Sequence, residues 1–219
     1  MHDTAMISGA LFGKVYGSSG MKVLDVGGKD VNGSLRKPFT EMLKIQYTSL
    51  DIEEHPSVDV VMKPGDSLPF PDESFDLIVS TSCFEHDPCF WLTFREMCRI
   101  IKMGGFIYMN APSNGYYHGY PGDNWRFYSD AGQALAYWSG KTIDGKSYPV
   151  KVEETFHLLP KSDIWVDFVC VWKRVEEKDD NIKVSNEIRM KNGPLRKALV
   201  DCGFPSHEIV YNGGHSLGY

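Results

Sequence analysis

No cluster of basic residues stands out in this sequence. Its 219 residues carry 23 Lys and Arg against 29 Asp and Glu, a formal net charge of −6. A nucleic-acid binder needs a cationic face, because phosphate contacts supply most of its affinity. The one short candidate, Arg189 to Lys197, is mixed with polar residues, so nucleic acid is not an expected partner. No stretch approaches the roughly 20 apolar residues that span a bilayer. Met1 to Gly20 also lacks the basic start and apolar run of a signal peptide, so no membrane is expected either. Cysteine is sparse. Cys83, Cys89, Cys98, Cys170 and Cys202 are odd in number and form no CxxC pair, which suits a reduced, cytoplasmic setting. These absences leave a small-molecule partner, with the oligomeric state open.

A hydrophobic fraction of 42% and a charged fraction of 24% are ordinary for a globular protein. Aromatics at 13% suit either a ring-lined pocket or a well-filled core. Residues 5–16 place apolar side chains at helical spacing and stop at Gly17–Gly20, a leading helix and a hinge. Met21–Gly28 is a compact apolar run ending in glycines, the pattern of a strand buried on both faces. A helical stretch then runs from Ser34 to about Lys44. Further strands are expected at Tyr47–Ile52, Val58–Met62, Phe75–Ser80 and Phe106–Asn110. Phe90 to Ile101 reads as an amphipathic helix, ended by Gly104-Gly105.

Strands alternating with helices predict a parallel sheet with right-handed crossovers. The end of the chain departs from that pattern. After a helix over Ser129–Ser139, strands over Val150–Leu158 and Trp165–Val175 are joined by a link too short for a parallel crossover, so they pair antiparallel. Beyond Glu176 the chain is charged and irregular, with one helix from Pro194 to Cys202. The expected architecture is α/β: one Rossmann-like, doubly wound, mostly parallel sheet with an antiparallel final strand pair. A single domain covers 1–219, with a leading helix in 1–20, the core in 21–175 and an extension in 176–219.

In such a sheet, ligands bind beyond the carboxyl ends of the strands, where strand order reverses. Asp25-Val26-Gly27-Gly28 closes the first strand, and glycine lets backbone approach a ligand without a Cβ in the way. Asp51, followed by Ile52, closes the second; a carboxylate there can accept from two vicinal ribose hydroxyls. Asp66, Ser67 and Leu68 precede the fourth strand, where an acid and free N–H groups beside apolar residues can read an adenine edge. Each has a plainer role available: a tight turn for Gly27-Gly28, a helix cap for Asp51, an ordinary turn for Asp66.

The collinear order VLDVGG, SLDI, GDSLPFPDESFDLIVS, EH, RIIKMGGFIYMNAP resembles the class I S-adenosylmethionine-dependent methyltransferases, in particular their small-molecule, type 11-like branch. The resemblance covers roughly residues 20–115 and implies S-adenosyl-L-methionine as cofactor. It places Asp25, Gly27, Gly28, Asp51, Ile52, Asp66, Ser67, Leu68 and Cys83 around that cofactor. The chain departs from the family's acid-x-Gly-x-Gly-x-Gly: Lys29, Asp30 and Val31 follow Gly28, and the next glycine is Gly33. A nicotinamide dehydrogenase is the rival, but its G-x-G-x-x-G does not match this spacing. A cofactor-binding pseudoenzyme or regulatory subunit is the other alternative, and the loaded loops described next argue against it.

Methyl transfer is an in-line displacement that must align the acceptor, exclude water and, for a hydroxyl, remove a proton. The residues that meet the acceptor are expected in the loops after the fourth and fifth strands, residues 80–87 and 112–128. His86 and His118 are the candidate bases, since imidazole accepts a proton near neutral pH; Asp123 joins them as a catalytic candidate. Tyr117, Trp125, Arg126 and Tyr128 are candidates for binding the acceptor's ring and polar groups. Equally, His86 has a helix-capping role open to it, and Asp123 with Arg126 one of pinning the loop. Three glycines (Gly115, Gly119 and Gly122) among several rings suit a mobile lid. Cys83, His86 and Cys89 lie close in sequence, but no fourth ligand is near and Pro88 interrupts the turn, so no metal is expected there. A carboxylate-bound magnesium stays open. The expected reaction is methylation of a small polar acceptor, on a hydroxyl of a sugar or similar compound.

Overall fold

The computed structural model describes residues 3–159, 164–181 and 184–211; the close of the expected C-terminal extension, 212–219, lies outside the described residues. Alternation within the strands decides which faces they bury. In β1 (Lys22–Val26), Val23 packs with Leu77 and Val79 of β4 (Phe75–Thr81) on one side of the sheet, while Leu24 and Val26 pack with Ile78 on the other. Such strands need cover on both faces. The helices α1 (Asp3–Tyr16) and α5 (Pro194–Asp201) cover the first face through Phe12, Leu195 and Leu199. The helices α2 (Phe90–Ile100) and α3 (Ala131–Ser139) cover the second, where Phe94, Met97, Leu135 and Ala136 meet Trp172. Each fully buried side chain of this size contributes about 1.5–3 kcal/mol by leaving water.

The remaining strands are β2 (Gln46–Asp51), β3 (Val60–Val61), β5 (Ile101–Pro112), β6 (Val150–Leu158), β7 (Asp167–Arg174) and β8 (Ile209–Val210). They form one sheet in the order β3-β2-β1-β4-β5-β7-β6-β8. β3, β2, β1, β4 and β5 pair parallel, and β7 runs antiparallel to both β5 and β6. The expected fold, including its antiparallel pair, is the observed one. From β1 the chain steps outward through β2 and β3, then returns to lay β4 on the other side of β1. The strand order therefore reverses between β1 and β4, and their carboxyl ends flank a crevice.

Several local expectations change. The helix expected over 34–44 shrinks to a π-helical turn, Pro38–Met42, that ends before Lys44, whose φ is +56°. Pro38 lacks the N–H that a longer helix would use. The strand expected over 58–62 is only Val60–Val61. Gly104-Gly105 does not end α2. Ile101 is already extended and pairs with Phe75, and the register then jumps to Leu77 opposite Phe106. Gly104, at φ +78°, makes the resulting bulge inside β5, a backbone state glycine adopts without penalty. The tail beyond Glu176 is less irregular than expected. It holds α4 (Asn186–Met190), capped by the Ser185 side chain, and β8, which adds to the sheet edge on β6.

Candidate active site

A cleft of about 510 Å³ opens at the carboxyl ends of β1, β2, β4 and β5. Among the described residues, no helix is long and apolar enough to cross a membrane. One side of the cleft begins at Gly27. Its φ is +80°, and a Cβ there would lie 2.5 Å from the Cys83 Sγ. Only a bare backbone lets the β1 turn and the β4 turn close on each other, so this wall offers main chain to a ligand. Both Gly27 and Gly28 donate their amides to the Leu50 carbonyl, at 2.8 and 3.0 Å. Gly28 itself does not line the cleft; a Cβ there would meet Ser49 at 2.8 Å, so this glycine serves the packing of the turn on β2.

Asp51 lines the cleft at the end of β2. Its Oδ1 accepts from the Ile52 amide at 2.7 Å and its Oδ2 from the Lys29 amide at 3.1 Å. The carboxylate is thus oriented from behind by backbone, with acceptor capacity left over. Ile52, Leu50, Met62 and Pro64 give this end apolar walls, and Val31, Asn32 and Gly33 close it from the loop after β1. An acid on apolar walls beside bare backbone fits a nucleoside: the carboxylate for ribose hydroxyls, the walls for the faces of a base. The Cys83 thiol lines the same wall, and burial pushes it well above the ordinary thiol range, so it is a neutral packing group rather than a nucleophile.

Asp25 supports this side from beneath. It is buried, accepts the Tyr47 hydroxyl, and does not line the cleft. Burial raises its carboxyl from 3.8 to about 6, with the Tyr47 hydrogen bond pulling the other way. Asp66, Ser67 and Leu68 fall elsewhere. Asp66 and Ser67 are exposed outside the cleft, while the Leu68 side chain is in the core. The Leu68 amide is taken by Glu96 at 2.8 Å and its carbonyl by Arg99 at 2.9 Å, so neither is free to read a base.

The opposite side is built by two loops that lock together. The Glu85 carbonyl accepts the Asn124 amide at 2.7 Å and the Trp125 amide at 3.1 Å; the Asn124 side chain donates to the His86 carbonyl at 2.9 Å. Between them His86 and His118 come together, their ring centres 5.0 Å apart, both lining the cleft. The His86 Nδ1 donates to the Gly122 carbonyl. Burial lowers the pKa of this imidazole, so it is neutral at physiological pH. The His118 Nδ1 lies 3.1 Å from Asp123 Oδ2, which also accepts the His118 amide at 2.9 Å. Arg126 grips the same carboxylate through both guanidinium nitrogens, at 2.5 and 2.7 Å. That pairing holds the Asp123 carboxyl well below the usual carboxylate range, so it stays ionised.

Asp123 and Arg126 do not line the cleft themselves; they hold His118 and the turn around it, the loop-pinning role that the sequence left open to them. Tyr117 and Tyr128 are exposed outside the cleft. Trp125 is outside it as well: its indole donates to the Asp87 carbonyl at 2.9 Å and packs edge-on against Phe90. The rings that do face the cleft are Tyr120 and Trp165. Trp165 packs edge-on against His118, 4.9 Å between centres. The Tyr120 hydroxyl donates to Glu53 across the mouth of the cleft, and Glu53 is paired with Lys29. Glu85, absent from the expected site, lines it too; burial pushes its carboxyl up to about 8, and its Oε2 has no partner. Its signal in the sequence was its place beside His86.

A model of the methyltransferase domain family matches residues 24–109, from the core of β1 into β5. A curated relative, the ubiquinone/menaquinone biosynthesis C-methyltransferase of Bartonella bacilliformis, is 27% identical over 179 residues, covering 71% of this chain; the chain spans 64% of that relative's length. Among solved structures, the 1,6-didemethyltoxoflavin N1-methyltransferase of Burkholderia thailandensis, with S-adenosylhomocysteine bound, superposes with a TM-score of 0.58 at 13% identity, covering 78% of this chain and 79% of that one. The phosphoethanolamine N-methyltransferase 2 of Haemonchus contortus, also with S-adenosylhomocysteine bound, gives a TM-score of 0.54 at 14% identity over 78% of this chain and 52% of that one.

Proposed function

The chain belongs to the class I S-adenosylmethionine-dependent methyltransferases, and from that premise we propose that it methylates a hydroxyl of a small polar acceptor, with His118 as the base. One observation carries this reading: Asp51, suited to a ribose, and His118, oriented by an ionised Asp123, line a single cleft. S-adenosylmethionine brings an electrophilic methyl group on a sulfonium. The chain's own residues must hold it, align the acceptor and take the acceptor's proton. Asp51 and the Gly27 backbone hold the nucleoside, with Ile52, Met62 and Pro64 against its base. Asp123 fixes His118 with Nδ1–H as donor, which leaves Nε2 to accept the hydroxyl proton, and the carboxylate then balances the imidazolium.

The acceptor's character follows from the lining. Its charged residues are Lys29 against Asp51, Glu53 and Asp87, with Glu85 kept largely protonated by burial, a balance that repels phosphate and favours a neutral molecule. Tyr120 and Trp165 supply faces for a sugar or similar ring. The curated relative methylates carbon and the toxoflavin enzyme nitrogen; the preference for oxygen is read from this chain's own acceptor side, since a neutral hydroxyl gains most from an adjacent base.

Incubation with S-adenosylmethionine and a panel of polyhydroxylated small molecules should yield S-adenosylhomocysteine. With the acceptor found, His118→Gln should lower kcat by about 10²–10⁴-fold, the usual value of a general base, with S-adenosylhomocysteine affinity held within a few-fold. Binding without turnover on any acceptor would make the chain a cofactor-binding subunit. Full turnover in His118→Gln would take the base role from His118.

A further inference from the structure

The meeting of His86 and His118 has a third member. One donor atom each from Glu85, His86 and His118 lies within 4.8 Å of the other two. In each ring the Nδ1 is already engaged, by the Gly122 carbonyl in His86 and by Asp123 in His118. The Gly122 carbonyl fixes His86 as the tautomer that leaves Nε2 as a lone pair, and the Asp123 carboxylate, 3.1 Å from the His118 Nδ1, favours the same tautomer there over the longer 3.5 Å approach of Arg126. That outer support is what metal-binding histidines need, because it sets both ring orientation and ligand basicity. Glu85 completes the set. It is 1% exposed, lines the cleft, and its Oε2 has no hydrogen-bond partner among the described residues. A buried carboxyl oxygen left without a partner is costly, and a cation that displaces the carboxyl proton would satisfy it.

We propose that Glu85, His86 and His118 form a binding site for a divalent first-row transition metal ion. Ligand atoms on one such ion, with bonds of roughly 2.0–2.1 Å, are at most about 4.2 Å apart. Donors up to 4.8 Å apart therefore need to draw in by at least about 0.6 Å, within the reach of side-chain rotation. Two imidazoles and one carboxylate suit zinc, cobalt, iron or manganese; calcium and magnesium prefer shells of oxygen alone. Three protein ligands leave coordination positions open, the form of catalytic rather than structural metal sites. In the sequence His86 stands with Cys83 and Cys89, a set that lacks a fourth ligand and is interrupted by Pro88, so no metal is expected from it. It is the loop after β5 that brings in His118 and changes the ligand set. Metal and proton would compete for the same His118 lone pair, so the metal-free chain is the form in which His118 serves as the base proposed above.

The full chain, stripped with chelator, should be titrated with Co²⁺ and with Zn²⁺ by calorimetry, the cobalt complex being followed by its d–d absorption. One ion per chain is expected, with cobalt bands of histidine and carboxylate ligation. Glu85→Gln and His118→Ala should abolish this binding, and Asp123→Asn should weaken it by about 10–100-fold as the outer support is lost. S-adenosylhomocysteine titration of each variant verifies that it is folded. The proposal is overturned if the wild-type chain takes no stoichiometric ion, or if both ligand variants bind as it does. Thiolate-to-cobalt charge transfer that vanishes in Cys83→Ser or Cys89→Ser would also overturn it, by moving the ion onto sulfur. Wild-type chain that takes the ion but not S-adenosylhomocysteine would strike the methyltransferase reading alone.

Discussion

The two sides of the cleft are held by different means. On the cofactor side, Gly27 and Asp51 stand at or just past the ends of buried strands, and their hydrogen bonds run to the backbone: Gly27 to the Leu50 carbonyl, Asp51 to the Lys29 and Ile52 amides. On the acceptor side, His86 and His118 stand in loops, and their positions rest on one carbonyl and one carboxylate supplied by a neighbouring turn. A site made by strand ends persists as long as the sheet does. A site made by loops can be rebuilt without disturbing the sheet, which is how one fold serves many acceptors.

The largest effect expected from testing this contrast lies beneath the better-anchored side. Asp25 is buried and its carboxyl is raised to about 6. In the unfolded chain it ionises near its ordinary value, so between about pH 4 and pH 6 the folded state keeps a proton that the unfolded state has lost. The stability of the fold should therefore fall as pH rises through that window, by on the order of 3 kcal/mol from this group. Asp25→Asn, which keeps an acceptor for the Tyr47 hydroxyl, should flatten that part of a Tm-against-pH curve. Equal slopes in both proteins would assign the effect to another group.

Next comes the support of the acceptor side. Asp123→Asn should leave S-adenosylhomocysteine affinity intact and lower kcat by about 10²-fold, the cost of a misplaced catalytic group, with partial recovery in Asp123→Glu. An equal loss of cofactor affinity would show that the two sides are not separately held. The smallest effect is expected at a bridge between them, where Tyr120 reaches Glu53. In Tyr120→Phe the amides of residues 113–127 should exchange several-fold faster with solvent, while Tm stays within a degree or so, since exposed contacts of this kind contribute little. Unchanged exchange would mean that the loop is secured only by its docking on Glu85 and His86.

Strand identity and order were legible because apolar runs such as VLDV and FDLIVS have no other stable use than burial between helices. The places of Asp51 and Gly27 on the cleft were legible for the same reason, since both stand where strands end. The acceptor side was less so. Tyr117, Tyr120, Trp125 and Tyr128 share a composition, yet only Tyr120 of these four faces the cleft. The turn that sorts them is set by Asp123, Arg126 and the Glu85 carbonyl, contacts that no periodicity encodes. Leu68 was misplaced for a similar reason. Its backbone is taken by Glu96 and Arg99 from α2, partners about thirty residues away in sequence. Gly104-Gly105 marked a real irregularity, but a bulge in a strand and the end of a helix ask for the same residue.

The central claim is that the ends of β1 and β2 bind S-adenosylmethionine, and titration of the wild-type chain and of Asp51→Asn with S-adenosylhomocysteine tests it most directly. The wild-type chain should bind one equivalent, and Asp51→Asn should bind about tenfold to a hundredfold more weakly, the loss of a hydrogen bond to a charged group contributing roughly 1.5–3 kcal/mol. No binding by the wild-type chain, or equal affinity in the two proteins, would contradict the account.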